Sequence, residues 1–149
     1  MAVASNGPGR THPLEVYLGY HLRRAASHMQ ADLTRRIADL GITIVEMSVL
    51  LVVEANPGII QSDIGRMIAI QRANMAPLVA GLVKRGWVDA TPVDKRSSGL
   101  SLTDLGVDLV KAAQERIAEN EAVLFANIGE TDRATVLSLV KKLWSDAEA

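Results

Sequence analysis

Gln71, Arg72 and Asn74 carry the kinds of side chain that read base edges in duplex DNA. Arg pairs with guanine through two hydrogen bonds and Asn or Gln pairs with adenine in the same way, and each good pair discriminates by about 1–3 kcal/mol. Lys95 and Arg96 suit contacts with phosphates or insertion into the minor groove. By themselves these residues are also typical of a polar helix start and of a solvated turn. Their interpretation therefore depends on the elements that position them.

The apolar pattern predicts two short helices around the first of these groups. Ser62 is predicted to cap the first helix and, with the free N–H groups there, to bind a backbone phosphate. The buried stripe of this helix would be Ile64, Met67 and Ile68. The second helix is predicted over 72–85 and ends at Gly86, with five residues facing inward: Met75, Leu78, Val79, Leu82 and Val83. Pro77 inside it removes one backbone hydrogen bond and predicts a local bend.

After Gly86 the pattern changes to the alternation of strands. The segments 86–90 and 99–102 predict a small hairpin with a charged tip between them. Longer helices are predicted over 14–40, 43–55, 104–127 and 131–149, the second opened by a capping box of Thr43 and Glu46 and the third capped by Thr103. Two short helices, a hairpin and a further helix in this order form a winged helix-turn-helix, which presents the start of its second helix to the major groove.

The stretch 61–106 resembles the signature region of the MarR family of regulators. In that family a recognition helix leads into a "kGxV" strand, a "D-x-R" wing and an "LT-x-x-G" helix start. The matching segments here are Arg85-Gly86-Trp87-Val88, Asp94-Lys95-Arg96 and Leu102-Thr103-Asp104-Leu105-Gly106. Lys95 departs from the more usual Arg, which keeps the charge but loses the planar fork.

The resemblance implies a mainly α fold with a small β wing, in which a winged helix-turn-helix lobe at 42–106 is flanked by long dimerisation helices at 14–40 and 107–149. Residues 14–149 would form a single domain after a disordered tail at 1–13. The implied function is that of a homodimeric, sequence-specific DNA-binding regulator, a repressor released by a small-molecule effector. A two-fold dimer would place its recognition helices roughly 34–36 Å apart on near-palindromic duplex DNA. Apolar residues on the last helix agree with such a dimer, since one small domain would not cover them: Val136, Val140 and Leu143.

The resemblance also implies an effector pocket between the first helix, the second helix and the DNA-binding lobe. The residues expected to line it are Tyr20, His21, Arg24 and His28 as polar contacts, with Met47 and Leu51 as the apolar wall. The expected ligand class is an aromatic acid or its CoA thioester, because the run from Arg72 to Met75 is similar to family members that govern aromatic-acid breakdown. Arg24 and His28 could instead face solvent or the partner chain.

Composition excludes several other classes of protein. The chain has no Cys, and His21 and His28 lack further ligands, so no metal is expected. The sequence contains no nucleophile-elbow motif, phosphate-cradling glycine loop or convincing carboxylate pair, so we expect no catalytic residue, no cofactor and no enzyme. No apolar run reaches the roughly 20 residues that span a bilayer, and the start lacks a signal-peptide pattern. We therefore expect a cytoplasmic protein with no membrane partner.

The distribution of charge supports DNA binding more than the net charge of −1 does. Residues 61–96 carry six basic and three acidic side chains, whereas 97–149 carry five basic and nine acidic ones. A basic middle is typical of a protein that meets phosphates along one face. The remaining alternative is a winged helix used only for protein assembly. Polar Gln71, Arg72 and Asn74 argue against it, because an assembly face is more often apolar.

Overall fold

Six α-helices, one short 3-10 helix and three β-strands form the part of the chain that the computed structural model describes, residues 12–93, 97–126 and 128–145. The helices are α1 Leu18–Arg36, α2 Ile44–Ala55, α3 Gln61–Met67, α4 Arg72–Lys84, α5 Asp104–Leu124 and α6 Glu130–Lys142, and the 3-10 turn Ala38–Leu40 joins α1 to α2. The strands are β1 Ile59–Ile60, β2 Val88–Pro92 and β3 Ser98–Leu102. The predicted mainly α fold with a small β wing is confirmed.

Local capping patterns set the starts of two helices as predicted. The Thr43 hydroxyl accepts a hydrogen bond from the backbone N–H of Glu46 at 3.2 Å, and the Glu46 carboxylate accepts one from the backbone N–H of Thr43 at 2.8 Å. At the start of α5 the Thr103 hydroxyl accepts from the backbone N–H of Gly106 at 3.1 Å. Each contact satisfies a backbone donor that the helix itself leaves free.

The sheet has β3 at its centre, antiparallel to both neighbours. The predicted hairpin is confirmed, with Val88 opposite Leu102 and Pro92 opposite Ser98. The third strand, β1, was not predicted, because two apolar residues give no strand pattern. It exists because Ile59 pairs with Leu100, some forty residues later in the chain. Residues 94–96 of the hairpin tip lie outside the described residues.

Two apolar clusters form the core. The larger one joins α2, α3, α4, the sheet and α5, and its buried members are Val49, Leu50, Val53, Ile64, Met75, Val79, Leu82, Val88, Leu100 and Val110. The smaller one lies beneath the junction of α1 and α2 and contains Ile37, Ile42, Met47 and Ala113. Leu51, Trp87 and Leu109 pack against both clusters. The recognition-helix region and the long helices therefore share one continuous apolar interior.

Ion pairs join the end of α1 and the 3-10 turn to α5. Arg36 donates to Asp32 at 2.7 Å and to Glu119 at 3.3 Å, and Arg116 donates to Asp39 at 3.0 Å. Hydrogen bonds from Arg36 and from the adjacent arginine outweigh burial and hold the pKa of Asp32 below its usual value. These polar contacts fix α1 along the side of α5 where the smaller cluster ends.

The structure corrects four details of the helix predictions. Ser62 is not the N-cap of α3: the helix starts at Gln61 directly after β1, Ile60 occupies the cap position, and no side chain caps it. Met67 is 60% exposed, although the apolar spacing placed it inside. Val83 is also partly exposed, because the buried face of α4 is the narrower stripe of Met75, Val79 and Leu82. The predicted first helix is shorter as well, since α1 ends at Arg36.

Candidate nucleic-acid interface

A tight turn sets α4 against α3 in the helix-turn-helix. The backbone N–H of Ile70 donates to the carbonyl of Gly65 at 2.9 Å, and Ala69 has a positive φ of 53°. A Cβ atom on Gly65 would stand 3.2 Å from both the Ile70 carbonyl and the Met75 side chain, so a larger residue there would push these neighbours by a few tenths of an ångström. The turn thus places the start of α4 at the surface, with Met75 buried beneath it.

The three predicted base-reading residues lie within the first turn of α4. Gln71 is the N-cap of α4, and the backbone N–H of Asn74 donates to its carbonyl at 2.9 Å. Gln71, Arg72 and Asn74 are all exposed. Within the described part of the chain, the Arg72 guanidinium has no carboxylate within 4 Å. The helix start therefore presents two amides and one uncompensated cation to a ligand outside the protein.

The predicted DNA-contacting residues lie on two sides of the α4 start. Ser62 and Arg72 line a cleft of about 940 Å³ between α3, α4 and the sheet, together with Arg66, Lys84 and the start of β3. Gln71 and Asn74 line a smaller hollow of about 480 Å³ beside α2, at Val45 and Leu78. Ser62 thus contributes to the same surface as Arg72 although it caps no helix.

Some of the cationic side chains of α3 and α4 form ion pairs with carboxylates of the described residues, and others do not. Arg66 forms an ion pair with Asp63, one turn before it on α3. Arg85, at the end of α4, forms an ion pair with Glu46. Arg72 and Lys84 have no such carboxylate among the residues with a described structure. Anionic ligands are attracted to this face for that reason.

The wing carries the remaining predicted contacts, Lys95 and Arg96, which lie with Asp94 outside the described residues. Its strands meet the start of β1 closely: a Cβ atom on Gly99 would be 2.8 Å from the carbonyl oxygen of Gly58. The wing is therefore held against the chain segment that leads into α3. Trp87, predicted to pack beneath the wing, lies half-buried between the two core clusters.

The residues predicted to form an effector pocket fall into two groups. The Tyr20 hydroxyl contacts a ring nitrogen of His12 at 2.9 Å and accepts from Arg24 at 3.1 Å, while a ring nitrogen of His21 lies 2.8 Å from the Glu15 carbonyl. The guanidinium of Arg23 also lies 5.8 Å from the centre of the Tyr20 ring. Tyr20, His21, Arg23 and Arg24 thus form a cationic group at the start of α1.

The apolar wall of that pocket lies elsewhere. Met47 is only 4% exposed inside the smaller core cluster, and Leu51 packs between both clusters. Leu33 packs on the smaller cluster, and Tyr20 precedes it by thirteen residues on α1, which corresponds to roughly 20 Å. His28 is exposed between these points. Within the described protomer Tyr20 is therefore distant from Met47 and Leu51, and the effector pocket stays a prediction.

Neither a metal centre nor a membrane span is present in the described part of the chain. Residues 12–93, 97–126 and 128–145 contain no group of three or more His, Asp or Glu side chains placed to hold a metal ion. Among the same residues, no helix combines the length and the apolar character needed to cross a bilayer.

Comparison with known proteins relates both the sequence and the fold to regulators. A sequence profile of the MarR family matches residues 40–97. The transcriptional repressor CouR, solved bound to a 23-mer DNA duplex, is 33% identical over 85% of this chain and 91% of its own, with a TM-score of 0.79. The PcaV regulator of Streptomyces coelicolor, solved with its natural ligand, is 25% identical over 93% of this chain and 99% of its own, with a TM-score of 0.78. A transcriptional regulatory protein for the hcr operon of Thauera aromatica is 27% identical over 130 residues, 85% of this chain and 78% of that protein.

Proposed function

The chain belongs to the MarR family of transcriptional regulators, and we propose that it is a dimeric, sequence-specific repressor that a small-molecule effector releases from its operator. The observation that carries the proposal is the start of α4, where Gln71, Arg72 and Asn74 are exposed on a rigid helix whose opposite face is buried. A helix-turn-helix uses these positions to reach base edges in the major groove. The relative CouR carries a DNA duplex in its solved structure and is itself a repressor.

The predicted DNA-contacting residues bind different parts of the duplex. Arg72 reads a guanine, and Gln71 and Asn74 read adenines. Ser62 binds a backbone phosphate from the cleft that it shares with Arg72. Lys95 and Arg96 would bind phosphates or enter the minor groove from the wing tip. The phosphate contacts set the position of the protein on the duplex, while the contacts from α4 set the sequence preference.

The dimer is proposed from α6, on which no described residue is buried. Its exposed apolar side chains, together with those that follow it, are Val136, Leu137, Leu139, Val140, Leu143 and Trp144. Further apolar residues are exposed near the other end of the described chain, before and at the start of α1: Leu14, Val16, Tyr17 and Leu18. An apolar surface of this extent is typical of a protein–protein interface. A second copy that covers both ends would bring two α4 helices onto one near-palindromic site.

The effector is proposed to be an aromatic acid or its CoA thioester, bound at the cationic group around Tyr20. Arg23 and Arg24 offer two guanidiniums near one aromatic ring, and His21 lies beside them. Such a set favours a ligand that combines an anionic group with an aromatic ring. Met47 and Leu51 belong to the core, so the apolar wall would come from the partner chain. The relative PcaV was solved with its natural ligand, which supports a ligand-responsive function.

The first experiment measures binding of the purified protein to the intergenic DNA upstream of its own gene and to an unrelated duplex, over a series of salt concentrations. We expect a preference for the upstream DNA and an affinity that falls steeply with salt, because phosphate contacts release counterions. Arg72→Ala should weaken the preferred duplex by about 1–3 kcal/mol and leave a folded dimer. Failure to bind either duplex at low salt would refute the proposal and favour an assembly function.

A further inference from the structure

We propose that Arg85 is a positioning residue, which holds the recognition helix α4 at a fixed angle to α2 and does not itself contact DNA. The inference rests on the proposed function and deepens it. Arg85 occupies the C-cap of α4, at the end opposite to the base-reading residues, and its backbone N–H donates to the Gly81 carbonyl at 3.2 Å. Its side chain is 35% exposed, so about two-thirds of that side chain is covered by the protein.

The guanidinium of Arg85 makes contacts to three separate parts of the structure. Its Nε donates to the carbonyl of Gly81 within α4 at 3.3 Å, and one terminal nitrogen donates to the carbonyl of Gly41 at 3.3 Å. The other terminal nitrogen donates to the Glu46 carboxylate in the first turn of α2. Gly41 is the left-handed residue that ends the 3-10 turn, with a φ of 67°. One side chain therefore ties the end of α4 to both the entry and the first turn of α2.

Both carboxylate oxygens of Glu46 accept hydrogen bonds. One of its carboxylate oxygens, Oε2, closes the capping box with Thr43, and the other, Oε1, accepts from Arg85. Its side chain is 15% exposed. Burial raises the pKa of Glu46, but the hydrogen bonds from Thr43 and Arg85 outweigh that effect and hold the pKa below its usual value. The carboxylate is therefore fully charged at neutral pH and has both oxygens engaged.

The fourth contact joins the same guanidinium to the start of the wing. The Arg85 guanidinium carbon lies 4.1 Å from the centre of the Trp87 ring, which is within the range of a cation–π interaction. Trp87 packs against both core clusters. Lys could supply the charge but not the planar set of donors that reaches Gly41, Glu46 and the ring face at once. A substitution of Arg85 by Lys would therefore break part of this set of contacts.

Substitution of Glu46 separates positioning from electrostatic attraction, because the two predict opposite signs. Glu46→Gln leaves a single side-chain oxygen, which cannot both close the capping box and accept from the Arg85 guanidinium, so an NH2 group faces one of the two donors. It also removes one negative charge, which by attraction to phosphates alone would tighten DNA binding. If Arg85 positions α4, the variant should instead bind the upstream duplex at least fivefold more weakly. Binding to an unrelated duplex should change less than twofold.

The controls use neighbouring residues. Arg85→Lys keeps the charge and should reduce the preference for the upstream duplex in the same way as Glu46→Gln. Lys84→Gln removes one charge from the preceding residue, and we expect it to weaken both duplexes alike. Thermal unfolding of each variant at equal protomer concentration shows that the comparison is made between folded proteins.

Trp87 provides a readout that needs no DNA. The sequence contains two Trp residues, so Trp144→Phe leaves Trp87 as the only Trp emitter. In that background Glu46→Gln should shift the emission of Trp87, because the guanidinium leaves the ring. The inference is overturned if the Trp87 emission does not change, or if Glu46→Gln binds the upstream duplex as well as the parent protein or better. An equal loss for both duplexes would overturn it too. A parent protein that shows no preference between the duplexes would instead refute the proposed function itself.

Discussion

Replacement of Gly106 by Ala tests how the start of α5 is packed against the wing. A Cβ atom at this position would stand 2.0 Å from the carbonyl oxygen of Trp87 and 3.0 Å from its carbonyl carbon. Both obstacles are backbone atoms, so no side-chain rotation relieves the contact. Two hydrogen bonds join the start of α5 to the Trp87 segment. The backbone N–H of Thr103 donates to the Trp87 carbonyl at 3.2 Å, and the Thr103 hydroxyl donates to the Gly86 carbonyl at 2.6 Å.

The expected loss follows from the displacement that the new methyl group demands. Real Cβ atoms essentially never approach other heavy atoms closer than 3.0 Å, so α5 and the Trp87 segment must separate by about 1 Å. Overpacking of this kind costs about 1–3 kcal/mol, and we expect about 3 kcal/mol because backbone must move. The higher helix propensity of Ala returns about 1 kcal/mol. The net destabilisation is therefore about 2 kcal/mol, or a fall of about 6 °C in Tm for a chain of this length.

The assay is thermal and urea unfolding of Gly106→Ala beside a matched control, Gly81→Ala, at one protomer concentration. Gly81 lies inside α4, and a Cβ atom there would have no heavy atom within 4 Å. The control should therefore gain about 0.5–1 kcal/mol from the reduced entropy of the unfolded chain. If Gly106→Ala unfolds at the same temperature as the parent or higher, the close packing of Gly106 on Trp87 is refuted.

Three further perturbations test other features of the structure. Ala69→Gly should raise the free energy of unfolding, measured in urea, by about 0.5–1 kcal/mol. The left-handed conformation costs Ala about 1–2 kcal/mol, whereas the greater freedom of the unfolded chain costs Gly about 0.4–1 kcal/mol. A loss of stability would contradict the backbone strain at Ala69. Asp32 has a lowered pKa, so its contribution to stability is present above its unfolded pKa of about 4 and is lost as the pH falls through the lower, folded-state pKa. The Tm of Asp32→Asn should therefore lie below that of the parent at pH 7, and the two should converge as the pH falls below about 4. A gap in Tm that stays constant with pH would disprove this linkage. Val140→Asp, on exposed α6, should give monomers in analytical ultracentrifugation, and an unchanged sedimentation coefficient would remove α6 from the proposed dimer interface.

The sequence by itself determined the features that depend on neighbours within one helical turn. The capping box of Thr43 and Glu46 and the cap at Thr103 join residues three apart, so the local pattern specifies them. The order of helices and strands follows from the apolar period, and the exposure of Arg72 and Asn74 follows from their place at a polar helix start. These features sufficed to predict the winged helix-turn-helix and its candidate base-reading residues.

Only the tertiary structure decided the contacts between residues that are distant in the chain. β1 forms because Ile59 pairs with Leu100, and α3 starts directly after this strand, so Ile60 and not Ser62 occupies its cap position. Met47 is buried in the core, although its sequence position fitted a pocket wall equally well. Arg85 meets Gly41 and Glu46 across some forty residues, and no local pattern records such a pair. Helical periodicity states which face of an element is apolar, but the element that covers this face is chosen by the packing of the whole chain.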